Sequence, residues 1–204
     1  LVVREDSAKQ QYSKLYLLNL PMYLNFPLLT IILLISAFML GDVPQNAFTN
    51  IISTYLNINI LEVRDSLNIY DSIFLVAQMG LFIGIMGTVP GHELVHRKKN
   101  KFDMFMGNWL LALSWDCAFA LEHVHGHHKN VGLPSDPATA RRGENIYSFI
   151  VKATFKEHRD AWKIELDQMK RRKIPVLSMR NKMILGYLRS ASIIILAYFI
   201  GGLK

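Results

Sequence analysis

Cysteine is almost missing from this sequence: 204 residues contain one, Cys117. A single thiol excludes an intrachain disulfide and any zinc site built on cysteine pairs, and Cys117 reads as a small apolar packing residue. Acidic residues are scarce, 16 against 23 lysines and arginines. No haem, flavin or nucleotide-binding motif is visible, nor any internal repeat or low-complexity tract. The glutamate-rich ligand set that soluble di-iron bundles use is not found. No secretory signal pattern precedes the first apolar run. The first residue is Leu1, not methionine, and Lys204 follows a span that has barely begun. The expectation is a piece of a longer polypeptide, incomplete at both ends and forming a single domain over 1–204.

Hydrophobic residues make up 51%, and they are bunched. Segments 15–40, 72–91 and 191–204 approach the roughly 20 residues that cross a bilayer. Pro21 and Pro27 fall in the first, which membrane helices tolerate. The predicted fold class is all-α: a polytopic transmembrane helical bundle. The segment between the first two spans holds one basic residue, Arg64, and reads as a weakly amphipathic loop (Ile51, Ile52, Tyr55, Leu56, Ile60). By contrast, 97–101 holds four basic residues, and 129–189 holds fourteen against six acids. The positive-inside rule therefore puts the N-terminus and the basic stretches in the cytoplasm.

Segment 102–121 is largely apolar, and a straight helix of that length covers about 30 Å. Asn108, Trp115 and Asp116, with basic flanks on both sides, argue against a plain span. A re-entrant or interfacial hairpin is expected instead. After His128 the chain turns polar. Asp136-Pro137 reads as a helix start, N-cap and first position. Apolar residues then recur at helical spacing from Tyr147 to Met169, predicting an amphipathic cytoplasmic helix over about 145–173 that Pro175 closes. His158, alone in that helix, reads as a solvated or partly packed imidazole.

Six of the seven histidines lie in two short boxes, His-Glu-Leu-Val-His (92–96) and Glu-His-Val-His-Gly-His-His (122–128). Ionisable groups beside a membrane span are functional candidates. His92 and His96 are four apart, on one face of a helix. His123 and His127 repeat that spacing, with His128 pointing about 100° away. His-Glu-x-x-His is also the motif of zinc metalloproteases, with the glutamate as general base. A zinc protease needs three protein ligands and an open position, and has no use for a second histidine box. All-imidazole ligation suits zinc, copper, iron or nickel. A metal-binding or transport protein without enzymatic activity is a further alternative, and it predicts polar residues inside the spans, where few are seen.

An imidazole-rich set at the cytoplasmic end of membrane helices resembles the membrane desaturase and hydroxylase superfamily. His92 to Arg97 resembles the first box of the integral-membrane alkane hydroxylases, HELxHK, and Glu122 to His128 the second, EHxxGHH. Asp136 to Tyr147 resembles the segment that follows in that family, and the similarity runs from about Tyr12 onward. Arg97 stands where the family usually has Lys, and Val95 where it often has Gly. The later motifs NYxEHYG and HxxHH are not found before Lys204, so the remaining metal ligands are expected outside this chain, which is expected to be inactive alone.

The resemblance implies two non-haem irons, with His92, His96, His123, His127 and His128 as ligands. His125 falls at a variable position and is left out. Glu93 and Glu122 are implied to orient imidazoles, and no catalytic residue is expected beyond the ligands and these two. The implied activity is alkane 1-monooxygenase: hydroxylation of the terminal methyl of medium- to long-chain alkanes to primary alcohols, using dioxygen and electrons from rubredoxin with rubredoxin reductase. The implied location is the bacterial inner membrane, with no nucleic-acid partner. Apolar side chains of the spans (Phe74, Leu75, Leu81, Phe82, Ile85, Met86) are expected to wall a dry substrate channel, or else to meet lipid and neighbouring helices. A fatty-acid desaturase or hydroxylase with the same metal centre is the alternative.

Overall fold

The computed structural model describes residues 16–202. The expected start of the first span at Leu15, and the end of the third at Leu203 and Lys204, lie outside the described residues. Within them the chain is all-helical: α1 (Tyr16–Leu40), α2 (Ala47–Leu56), α3 (Ile60–Asp65), α4 (Ile69–Phe82), α5 (Val89–His96), α6 (Lys101–Leu113), α7 (Phe119–Glu122), α8 (His128–Asn130), α9 (Ile146–Arg171) and α10 (Lys182–Gly201). Two π-helical stretches, Ile83–Thr88 and His123–His127, join α4 to α5 and α7 to α8. Three stretches are long and apolar enough to cross a membrane: Asn19–Leu40, Ile69–His96 and Lys182–Gly201. The protein is an integral membrane protein. Its third spanning helix begins nine residues before the predicted 191, because the side chain of Asn181 caps the backbone N–H groups of Met183 and Ile184. Helical hydrogen bonding then carries past Arg189, which a hydropathy reading counts as an end.

The three spanning helices pack around a core of Leu29, Met79, Leu94, Leu110, Leu113 and Ile193. α1 and α10 run side by side, and their far ends meet where Asp42 and Val43 donate backbone N–H bonds to the Gly201 carbonyl. The contact is so close that a Cβ on Gly41 would fall 1.7 Å from that carbonyl oxygen. The segment predicted as a weakly amphipathic loop forms α2 and α3, capped by Asn46 and Asn59. Ile60 is buried there, while Ile51, Tyr55 and Leu56 stay exposed. Of the predicted channel walls, Phe82 and Met86 pack on the core, whereas Phe74, Leu81 and Ile85 lie on the outer surface.

α6 has 13 residues, about 20 Å at 1.5 Å per residue, too short to cross a bilayer. It runs back along α5, and Gly91 and Gly107 line the crossing. A Cβ on Gly107 would sit 2.9 Å from Val95 Cγ1 and 3.0 Å from the Gly91 carbonyl oxygen. The chain breaks at Trp115, which takes a left-handed φ of 60°, and α7 leads into the second histidine box. Helix α9 packs its second half on α7 and α10 through Ala161, Trp162, Met183 and Tyr187, with Cys117 in the same cluster. Burial pushes the Cys117 thiol up to about 11, so it stays protonated and inert at neutral pH. The apolar face of the first half of α9, including Tyr147, Val151 and Phe155, is exposed.

Candidate metal centre

α5 presents His92 and His96 one turn apart, and the rings lie 4.8 Å apart between centroids, with the two Nε2 atoms at 2.8 Å. The second box returns to meet them. His123 lies 4.3 Å from His92 and 5.2 Å from His96, and His128 lies 4.9 Å from His96. Ligand atoms of His92, His96 and His123 all fall within 4.8 Å of one another.

The second box is not α-helical, and this corrects the expected direction of His128. Over His123–His127 the backbone is π-helical. Its i→i+5 bonding widens the turn, so residues five apart share a face. The His123 and His128 Nε2 atoms accordingly stand 3.0 Å apart, and His128 does not point away. His123 also stacks on His127 at 5.2 Å. Gly126 makes the turn possible: a Cβ there would lie 2.2 Å from Oε1 of Glu122. His125 is exposed and outside the cluster, and so is His158, whose Nδ1 is 3.3 Å from the Thr154 carbonyl oxygen.

His123 is the hub. On its other side the Phe119 ring stacks at 4.4 Å and 14°. Burial, followed by the charges of His92, His128, His127 and His96, pushes His123 down to about 3. Its imidazole is therefore neutral at pH 7, with a lone pair free for a metal. First-row metals hold imidazole nitrogen at about 2.0–2.1 Å, so nitrogens 2.8–3.0 Å apart fit pairs of ligands on one ion. The donor set is all imidazole, which suits zinc, copper, iron or nickel.

His127 is held by a residue that sequence reasoning assigned elsewhere. Asp136 caps no helix. Its carboxylate, fully buried, lies 3.0 and 3.1 Å from His127 Nδ1 and also accepts from the Thr139 hydroxyl and, at 3.0 Å, the Ala138 N–H. Burial alone would raise this carboxyl, but the Thr139, His127 and Ala138 bonds together hold it below its ordinary value. An ionised Asp136 fixes His127 with Nδ1 protonated and leaves Nε2 for a ligand, the carboxylate–histidine arrangement common at metal sites. Loss of such a partner typically costs about 10–100-fold in metal affinity or activity. Asp136→Asn should therefore weaken metal retention by about that factor, read by metal titration of the natural polypeptide.

Of the two glutamates expected to orient imidazoles, Glu93 touches none. It is exposed and pairs with Arg97 at 2.9 Å, because residue 93 lies about 100° round α5 from His92 and only about 40° from residue 97. Arg97 reaches Asn19 Oδ1 at 2.8 Å and Asp103 at 3.6 Å, and Tyr23 bonds Asp103 as well, tying α1, α5 and α6 together. Glu122 is buried. Burial, then Glu157 and Asp136, push it up to about 7.

The family model for fatty acid desaturases matches residues 72–204, which takes in both boxes. Alkane 1-monooxygenase 2 of Pseudomonas aeruginosa is 35% identical over 116 residues, 57% of this chain and 30% of that protein. Alkane 1-monooxygenase 1 of the same organism is 33% identical over 120 residues, 59% and 31% of the two chains. The alkane 1-monooxygenase of Pseudomonas putida is 39% identical over 114 residues, 54% and 28%. The matched stretch thus spans less than a third of the length of these relatives.

Proposed function

We propose a function from one premise: the chain belongs to the fatty acid desaturase family. On that premise the histidine cluster is the major part of a two-iron centre in an alkane 1-monooxygenase that turns a terminal methyl group into a primary alcohol. The observation that carries the reading is the convergence of His92, His96, His123, His127 and His128 from two separate elements. Relatives named for alkane hydroxylation match the same region. The re-entrant helix α6 holds the two boxes on the cytoplasmic side of a bacterial inner membrane.

When bound, the irons supply the redox chemistry that activates dioxygen; the rest falls to the protein. His92 and His96 of α5 and His123, His127 and His128 of the second box would hold them. Asp136 orients His127, keeping the proton on Nδ1. Phe119 covers one face of His123 and excludes water there. The alkane offers no charge to grip, so apolar walls and dryness must position it.

The test is to express the natural polypeptide in membranes, supply octane, dioxygen and a reduced donor, and assay products and metal. 1-Octanol with bound iron supports the reading. An unsaturated or hydroxylated acyl chain instead would move it to the desaturases, and one zinc with proteolysis lost on Glu93→Gln would move it to the metalloproteases. The donor is rubredoxin, reduced by rubredoxin reductase, drawn by the basic stretch 129–189. Turnover at subsaturating donor should then fall as salt rises from about 0.05 to 0.5 M, since screening shortens the reach of charge. A flat response would remove the steering.

A further inference from the structure

The first half of α9 carries an apolar face that is left largely uncovered among the described residues. At about 100° per residue, Ile146, Tyr147, Ile150, Val151 and Thr154 share one side of the helix, with Phe155 at its edge. Tyr147, Ile150, Val151 and Phe155 are each more than half exposed, and no charged residue interrupts the face. The opposite side of the helix is occupied. Lys152 pairs with Glu144, and Lys152 and Lys156 line a cavity with Gly132, Asp136 and Arg141. An exposed apolar face of this kind marks an interaction surface.

The depth of the helix identifies the partner. The spanning stretch Ile69–His96 has 28 residues, about 42 Å at 1.5 Å per residue, against a hydrocarbon core of about 30 Å. Asn68 and Asp71 close a polar capping box at the end away from the histidines and hold that end in water. His92 and His96 therefore stand clear of the hydrocarbon, and Thr88 falls near its boundary. Thr154 and His158 of α9 line one cavity with Thr88 and with Ser114 at the end of α6, so the middle of α9 lies at that boundary. A second gauge agrees. Further along, Trp162 donates to the Tyr187 hydroxyl at 3.1 Å, and Glu165 accepts from the Lys182 backbone N–H at 2.8 Å, both at the start of the spanning helix α10. Arg189, two residues past Tyr187, marks the same level, because its charge must reach the headgroups. Tryptophan and tyrosine favour this layer of a membrane.

α9 thus meets two spanning stretches at one depth. The side that meets Thr88 continues toward Tyr147, about 10 Å beyond Thr154, with Ile150 and Val151 along it. We propose that the first half of α9 lies in the surface of the bilayer, with Tyr147, Ile150 and Val151 seated at the boundary of headgroups and acyl chains. The partner of this face is lipid. A protein covering it would have to sit at the depth of the hydrocarbon boundary. The inference goes beyond the oxygenase reading and does not depend on it, since it uses only the spans and the packing of α9.

The test uses the natural polypeptide in liposomes of phosphatidylethanolamine and phosphatidylglycerol, with a nitroxide on a single introduced cysteine and other reactive thiols replaced. Tyr147→Cys and Val151→Cys read the apolar face. Lys163→Cys reads the opposite side, where the lysine is exposed. Collision of the nitroxide with oxygen, which concentrates in lipid, is compared with collision with a water-soluble nickel chelate. At 147 and 151 oxygen should dominate, placing the label about 5–10 Å into the headgroup and acyl boundary. At 163 the chelate should dominate. Low collision with both reagents at 147 and 151 overturns the proposal, because protein then covers the face, either further polypeptide or a second copy. Dominance of the chelate there overturns it as well, because the face is then in water. A thermal unfolding midpoint near the parent's shows that a labelled variant is folded, and either site decides the matter if the other variant is not.

Discussion

His123→Ala in the natural polypeptide is expected to abolish both iron binding and alcohol formation. His123 touches every other member of the cluster: His92, His96, His127 and His128. Its neutral imidazole links the pair on α5 to the pair in the second box. Removing an orienting partner costs about 10–100-fold, and removing the hub ligand should exceed that. Iron per polypeptide by elemental analysis and octanol per minute by chromatography should fall together. His125→Ala is the control. It stands two residues away on the exposed side of the turn and should leave both values near the parent's. If His123→Ala keeps its iron, the cluster is not the metal site.

Gly107→Val should have the second large effect, acting through packing and without touching a histidine. Gly107 faces Gly91, Leu94 and Val95 at the crossing of α5 and α6. The nearest obstacles to a new side chain include the Gly91 carbonyl and Leu94 Cβ, both at 3.0 Å. Neither is the free end of a flexible chain, so the helices must separate. Overpacking of this kind costs about 1–3 kcal/mol, and α5 carries His92 and His96 away from the second box as it moves. A lower thermal unfolding midpoint and a lower iron content are expected together. Gly80→Val is the comparison. It removes a helical glycine from the spanning stretch Ile69–His96 that carries α5, but nothing lies within 4 Å of the added Cβ. Equal losses in the two variants would show that glycine content, and not the crossing, sets the geometry.

Much of the fold is legible in the sequence because long uncharged runs have few other ways to satisfy their backbone in lipid than to form helices. Segments 15–40 and 72–91 announce themselves this way. The third span starts early because capping by Asn181 and the helical propensity of 182–190 continue past charges that end a hydropathy window. The long amphipathic helix shows in the spacing of Ile150, Phe155, Trp162 and Met169. What periodicity cannot show is which half of that face is covered. The half bearing Trp162 packs on α7 and α10, while Phe155 remains exposed.

At the site, residue type marks the histidines, but their arrangement is another matter. An i,i+4 reading assumes 3.6 residues per turn, and the second box departs from it. Gly126, between two bulky imidazoles, was the available signal, since its missing Cβ leaves room for the Glu122 carboxylate. Asp136 suggests a helix cap because Asp-Pro is a strong local start signal. Its bonds from the Thr139 hydroxyl and the Ala138 N–H are local, but the one that places it at the site comes from His127, nine residues back. Glu93 illustrates the reverse: the motif position suggests contact with the histidines, but the helical angle carries its side chain to Arg97.

The most direct test of the two-iron reading is metal analysis of the natural polypeptide, purified from cells grown in iron and zinc together, with Mössbauer spectra of the iron-57 form. The account predicts two irons per polypeptide in an all-imidazole-rich environment and negligible zinc, with the iron lost in His123→Ala. A single zinc per polypeptide, or no transition metal at all, would contradict it.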